Sequence, residues 1–158
     1  MGLTMNSRER VAALLEYRPV DHLPFMPITM MFAARHIGAK YGRYALDHRI
    51  MVDAQIRTAG DFGFDHVSAI TETREAPDCG AEIRCFEDQP YAINEGNARL
   101  ADKTALTGLK GPDPLQADHM HDRIQGLVLL KERIGDEKMI EGWVEGPCGA
   151  AADLRGIN

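Results

Sequence analysis

Two short stretches of this chain carry residue types that can do chemistry. The first is Glu145-Gly146-Pro147-Cys148, between an apolar run and a small-residue run, Gly149-Ala150-Ala151-Ala152. It reads as a strand end, a Gly-Pro corner and the first turn of a helix. At such a corner freed helix N–H groups and strand-end side chains converge. Gly146 lets backbone approach a ligand closely. Glu145 projects near the same place, and Cys148, at the helix N-terminus, is placed for a lowered thiol pKa. The alternative is a tight turn that needs Gly-Pro for shape, with Cys148 as a small packing residue. The second stretch is Glu72, just past an apolar run beginning at His66. At a strand's C-terminal end it can act as a general base or hold a substrate cation; the alternative is a loop glutamate in solvent. Arg35-His36 can meet an anionic group above an earlier strand, or form a surface pair.

No metal site is expected. Cys79 and Cys85 lack further ligands at metal-binding spacing. His119 and His121, two apart on one helix, fall on different sides and read as solvated. Three cysteines in all is an odd number, which argues against a disulfide framework and for a reducing cytoplasm. A net charge of −6 with scattered basic residues argues against nucleic acid or an anionic membrane as partner. No apolar run approaches the roughly 18 residues of a membrane span.

The elements that must position these residues follow from pattern. Residues 6–17 read as a helix with Asn6 and Glu9 as a capping box and Val11, Leu14 and Leu15 on one face. A proline-bounded strand is expected within 20–30, then an ambiguous stretch over 31–44 broken by Gly38 and Gly42. A helix over 46–60 presents Leu46, Ile50 and Ala54. A strand over 66–71 and a β-hairpin from 81–86 and 91–94 follow. The longest helix, 114–134, has Asp113 as cap, Pro114 at its first position, an inner face of Met120, Ile124, Leu127, Val128 and Ile134, and Gly135 at its end. A third strand spans 139–144. Repeated βα units imply an α/β fold with a parallel sheet and right-handed crossovers.

Several segments together resemble one family. Ser7-Arg8-Glu9-Arg10-Val11 with Arg18-Pro19-Val20-Asp21-His22-Leu23-Pro24 is similar to the "RERV…RPVDRVP" opening of the uroporphyrinogen decarboxylase-like family. Phe64-Asp65-His66-Val67, the run from Glu75 to Ile83, and Trp143-Val144-Glu145-Gly146-Pro147 resemble later segments in the same order. The resemblance implies a (β/α)₈ barrel. Such a barrel needs about 250 residues, so residues 1–158 are expected to form a single partial domain, about three barrel strands plus the hairpin excursion. Open sheet edges then invite self-association.

The family has two branches. One decarboxylates the acetate arms of a tetrapyrrole without a cofactor. The other moves methyl groups between a corrinoid protein and a small substrate or thiol, generally with zinc. The ending from Glu145 to Gly156 looks more like the corrinoid, cobalamin-linked methyltransferase branch. The decarboxylase branch grips substrate carboxylates with paired arginines in an "RQAGR" loop. This chain reads Met31-Phe32-Ala33-Ala34-Arg35-His36-Ile37-Gly38 there, with Arg35 alone and out of register. That branch also carries an aspartate where this chain has Glu72. The resemblance places the zinc ligands, an H-x-C pattern and a later Cys, in the barrel's second half. No cofactor is therefore expected on this chain alone; zinc and a corrinoid partner are implied for the complete family member. The chain by itself is expected to be inactive, as part of a methyltransferase. Tetrapyrrole decarboxylation and a noncatalytic module that binds a corrinoid protein are the alternatives.

Overall fold

A computed structural model describes residues 4–72 and 75–156. The expected interruption at Asn158 falls outside them.

Helix α1 (Ser7–Leu15) starts at the expected capping box. Asn6 Oδ1 accepts from the Glu9 amide at 2.8 Å, and Glu9 Oε2 accepts from the Asn6 amide at 2.9 Å. Its inner face differs from the expected one: Leu14 and Leu15 are exposed, whereas Arg10 is buried beside Val11 and Ala13. The cause is electrostatic. Arg10 Nε and Nη2 donate to the two Asp21 carboxylate oxygens at 2.6 and 2.8 Å, Nη1 donates to Asp65, and Nη2 also reaches the Met5 carbonyl at 2.7 Å.

No strand forms within 20–30. Pro24 and Pro27 supply no amide, and one backbone bond, from the Asp65 amide to the Phe25 carbonyl at 2.9 Å, ties this extended segment to its neighbour. The amide of Ser68, which a flanking strand would otherwise satisfy, donates to the Gln55 side chain at 3.2 Å. The chain passes instead into two short helices, α2 (Met30–His36) and α3 (Tyr41–Leu46).

Helix α4 (His48–Phe62) buries Met51, Val52, Ala54, Gln55, Thr58 and Ala59. Of the expected stripe Ala54 is buried, Ile50 is half-buried and Leu46 is exposed. Gly63, in the left-handed region at φ 69°, ends the helix. Strand β1 (His66–Ser68) follows, then a short helix α5 (Glu75–Asp78) and the antiparallel hairpin of β2 (Ile83–Arg84) and β3 (Ala92–Ile93). The hairpin tip lies on α3, where the Gly42 amide donates to the Glu87 carbonyl at 3.0 Å. A Cβ on Gly42 would stand 2.2 Å from the Phe86 carbonyl oxygen, so this approach requires glycine.

Helix α6 (Asp118–Ile134) starts later than expected. Asp113 caps a separate turn, accepting from the Leu115 amide at 3.0 Å. The cap of α6 comes from elsewhere in the chain: Asp78 accepts from the His119 and Met120 amides at 3.2 and 2.7 Å and meets His119 Nδ1 at 2.9 Å. His119 is thus half-buried and engaged, contrary to the expectation of a solvated residue. The inner face of α6 is also rotated: Arg123, Gly126 and Leu130 are buried, while Val128 is exposed.

Strand β4 (Met139–Glu141) pairs parallel with β1 in the register His66↔Met139, Val67↔Ile140 and Ser68↔Glu141. Helix α7 (Pro147–Arg155) follows, with Pro147 at its first position. Helices α4 and α6 pack together, and Met51, Val52, Val67, Ala69 and Leu130 form the centre of the core. Among the described residues the sheets are two pairs of strands, β1–β4 and β2–β3, and no closed barrel forms.

Candidate functional site

The loops after β1 and β4 leave the same end of their parallel pair, and one side chain joins them. Arg123, buried on α6, donates through Nη1 to Glu75 Oε1 at 2.9 Å and to the Trp143 carbonyl at 2.7 Å. Its Nη2 reaches the Glu72 carbonyl at 3.1 Å. Glu75 Oε1 also accepts from the Glu145 amide at 3.2 Å. One guanidinium therefore ties the loops bearing Glu72 and Glu145. The fixed fork of donors makes arginine suited to this, where an ammonium is a point charge.

Beside this tie lies a cleft of about 460 Å³, walled by Met120, Leu127 and Trp143 with Glu75, Arg123 and Glu145 at its polar side. Glu145 Oε1 folds over the first turn of α7: it lies 2.1 Å from where a Cβ on Gly149 would stand. A carboxylate there suits the partial positive charge of a helix N-terminus. Gly146 is the exposed N-cap of α7 and Cys148 is exposed one residue past Pro147.

Glu72 points elsewhere. Its two carboxylate oxygens are inaccessible to solvent, and the buried Tyr41 hydroxyl is a donor that acts on them. Tyr41 is wholly buried on α3. Burial first, and the Glu72 carboxylate second, drive the Tyr41 phenol far above the ordinary range, so it stays neutral. Tyr44 stacks on Tyr41 with ring centroids 5.4 Å apart.

Arg35 and His36 do not join this group. They are exposed near the end of α2, where His36 Nε2 meets Asp61 Oδ2 at 2.8 Å and the imidazole packs on Phe32 and Phe62. Asp61 stands just before β1, so this pair is at the entry end of the strand, away from Glu72 at its exit. A groove of about 600 Å³ between Thr4, Arg8, Arg18 and Asp136 also lies at the entry end and contains none of the candidate residues.

Arg123, Glu75 and Tyr41 are the site residues that sequence reasoning missed. Arg123 had a signal: it lies four and seven residues before Leu127 and Leu130, a charge on an apolar helix face. Tyr41 had none, since it sits in the ambiguous stretch. Among the described residues no three His, Cys, Asp or Glu side chains gather as a metal site, and the residues present do not fit a zinc centre. No described helix is long and apolar enough to cross a membrane.

A search of curated proteins finds no match. The family model for uroporphyrinogen decarboxylase (URO-D), a TIM-barrel family, matches residues 6–157, nearly the whole chain. With the opening, the two strand ends and their loops all inside that match, the chain belongs to the uroporphyrinogen decarboxylase family.

Proposed function

We propose that this chain contributes part of the substrate-binding mouth of a methyltransferase of its family, one that moves methyl groups between a corrinoid protein and a small substrate or thiol. The observation that carries this reading is the charge of the strand-end surface. Among the described residues its side chains include Glu75 and Glu145, with the Glu72 carboxylate buried beneath, and the buried cation Arg123 is engaged with Glu75 and two carbonyls. Arg35, the residue nearest in sequence to an anion-gripping loop, is at the other end of β1. A tetrapyrrole bearing several carboxylates would meet like charge here, whereas a neutral or cationic methylated molecule would not.

In this reading Arg123 sets the spacing of the two loops. The cleft beside Trp143 takes apolar surface of the substrate or of the corrinoid partner, with Glu75 and Glu145 at its polar side. No step is assigned to a metal on these residues. The test is sedimentation of the chain with a methylcobalamin-loaded corrinoid protein, with methyl loss followed by absorbance. Association without unaided methyl loss is expected. Failure to associate, together with carboxyl loss from a porphyrinogen, would overturn the reading in favour of decarboxylation.

A further inference from the structure

We propose that His66 is a proton-operated latch on the β1–β4 pair: while it is neutral the two strands close over it, and when it is protonated they loosen. His66 opens β1 and stands opposite Met139 in the parallel register, at the entry end of the strands and apart from the loops that Arg123 ties. It is 4% exposed. Its Nε2 lies 3.7 Å from Glu141 Oε2 on β4, an attraction beyond hydrogen-bond reach. Its Nδ1 is buried and makes no hydrogen bond. The Ser68 hydroxyl, two residues on along the same strand face, makes none either.

The two protonation states ask different things of that enclosure. A neutral imidazole has one donor and one acceptor. With its N–H turned to Glu141, the buried Nδ1 is a bare acceptor. A second proton makes Nδ1 a donor with nothing to accept from it and adds a full charge away from water, which is a larger penalty. The charged groups around His66 do not remove it. Glu141 favours the imidazolium, but its side chain is 36% exposed and water screens it. Asp65, the preceding residue, acts the same way, yet its carboxylate is already engaged by Arg10 of α1 and by the Phe25 amide. Lys138, just ahead of β4, donates to the Ser7 hydroxyl and the Phe64 carbonyl and would only repel a second cation. Helix α4, packed on β1, buries Met51, Val52, Ala54, Gln55, Thr58 and Ala59, none of them titratable. Burial thus outweighs both carboxylates and holds the imidazole below its ordinary value. The unfolded chain takes this proton near pH 6.5 and the folded chain only at lower pH. The contribution to stability is therefore full above about pH 6.5 and is lost as pH falls toward the folded value. The penalty sits between the two strands, so the bonds beside it yield first: the Met139 amide to the Asp65 carbonyl at 3.2 Å and the Ala69 amide to the Glu141 carbonyl at 3.0 Å.

The experiment follows the full chain by NMR from pH 7.5 to pH 5, with imidazole C–H shifts reporting protonation and amide hydrogen exchange reporting opening. His66 is expected to titrate below about 6.5, and the protection factors of the Met139 and Ala69 amides to fall by up to about tenfold per pH unit beneath that point. In His66→Gln, which takes no proton, that fall is expected to disappear. Titration of His66 at or above about 6.5, or the same fall in His66→Gln, would overturn the proposal. Should His66→Gln fail to fold by circular dichroism, Glu141→Gln, at a partly exposed position, carries the test. It removes the carboxylate that favours the imidazolium across the strand pair, so His66 should titrate lower still; an unmoved or raised titration would overturn the proposal.

Discussion

Replacing Arg10 with methionine tests whether a buried ion cluster fastens α1 beneath the β1–β4 pair. The Arg10 and Asp65 side chains are 8% and 3% exposed, and Asp21 completes the cluster at 14%. Removing one partner of a buried ionic group leaves the others uncompensated, at about 3–5 kcal/mol. With a urea dependence of about 2 kcal/mol/M, the unfolding midpoint of Arg10→Met should fall by roughly 2 M. The pH dependence gives a sharper check. Burial opposes ionisation of Asp65, but the Phe25 amide, the Ser7 hydroxyl and Arg10 outweigh it and hold the carboxyl below its ordinary range. A depressed carboxylate stabilises the fold above the unfolded-state value, near 4, and loses that contribution only as pH falls through the lower folded value. The native protein should therefore vary little through Asp65 between pH 7 and pH 4. In Arg10→Met burial persists without the guanidinium, so the Asp65 pKa moves upward and acid relieves the variant. The stability gap should be smaller at pH 4 than at pH 7, and Arg10→Met with Asp65→Asn should recover part of the loss. A gap under about 1 kcal/mol at pH 7, or an equal gap at both pH values, would refute the reasoning.

Three further outcomes are expected. Gly126→Ala should lower stability by about 1–3 kcal/mol in thermal unfolding, because its Cβ would stand 2.6 Å from Met51 Cε and 3.3 Å from His48 Cβ where α4 and α6 meet; an unchanged melting temperature would contradict that packing. Asp78→Ala should cost about 0.5–2 kcal/mol by uncapping α6, with Asp78→Asn, which keeps one acceptor, costing less; equal losses in the two variants would argue against a cap. A disulfide exchange reagent near neutral pH should modify two thiols quickly and one slowly: Cys85 and Cys148 are exposed, whereas burial, then Asp78 and Glu75, push the Cys79 thiol up. Three equal rates would contradict it.

Local signals in the sequence were legible where they act locally. The Asn6–Glu9 capping box, the hairpin and the Pro147 helix start all depend on residues within a few positions of one another. What escaped depends on distant partners. The α6 cap is Asp78, about forty residues upstream, so Asp113 and Pro114 looked like a helix start and proved to be a turn. The buried faces of α1 and α6 were misread for one reason: Arg10 and Arg123 lie inward, drawn by carboxylates that only the fold brings near. Residues 20–30 were read as a strand because apolarity and prolines fit an edge. The Gln55 side chain takes the Ser68 amide instead, and no pattern in the segment itself reports that.

The same long-range ties decide which acid meets a ligand. Glu75 is held by Arg123, and the Glu145 amide is held by Glu75 while its carboxylate covers the first turn of α7. Both therefore position the mouth, and they do so from α6, a 17-residue helix whose start is fixed by Asp78. Glu72 differs. Its carbonyl joins the Arg123 tie, which fixes the backbone, while its buried carboxylate faces the Tyr41 hydroxyl of α3. A carboxylate buried against a phenol, away from water, costs stability that packing elsewhere must offset.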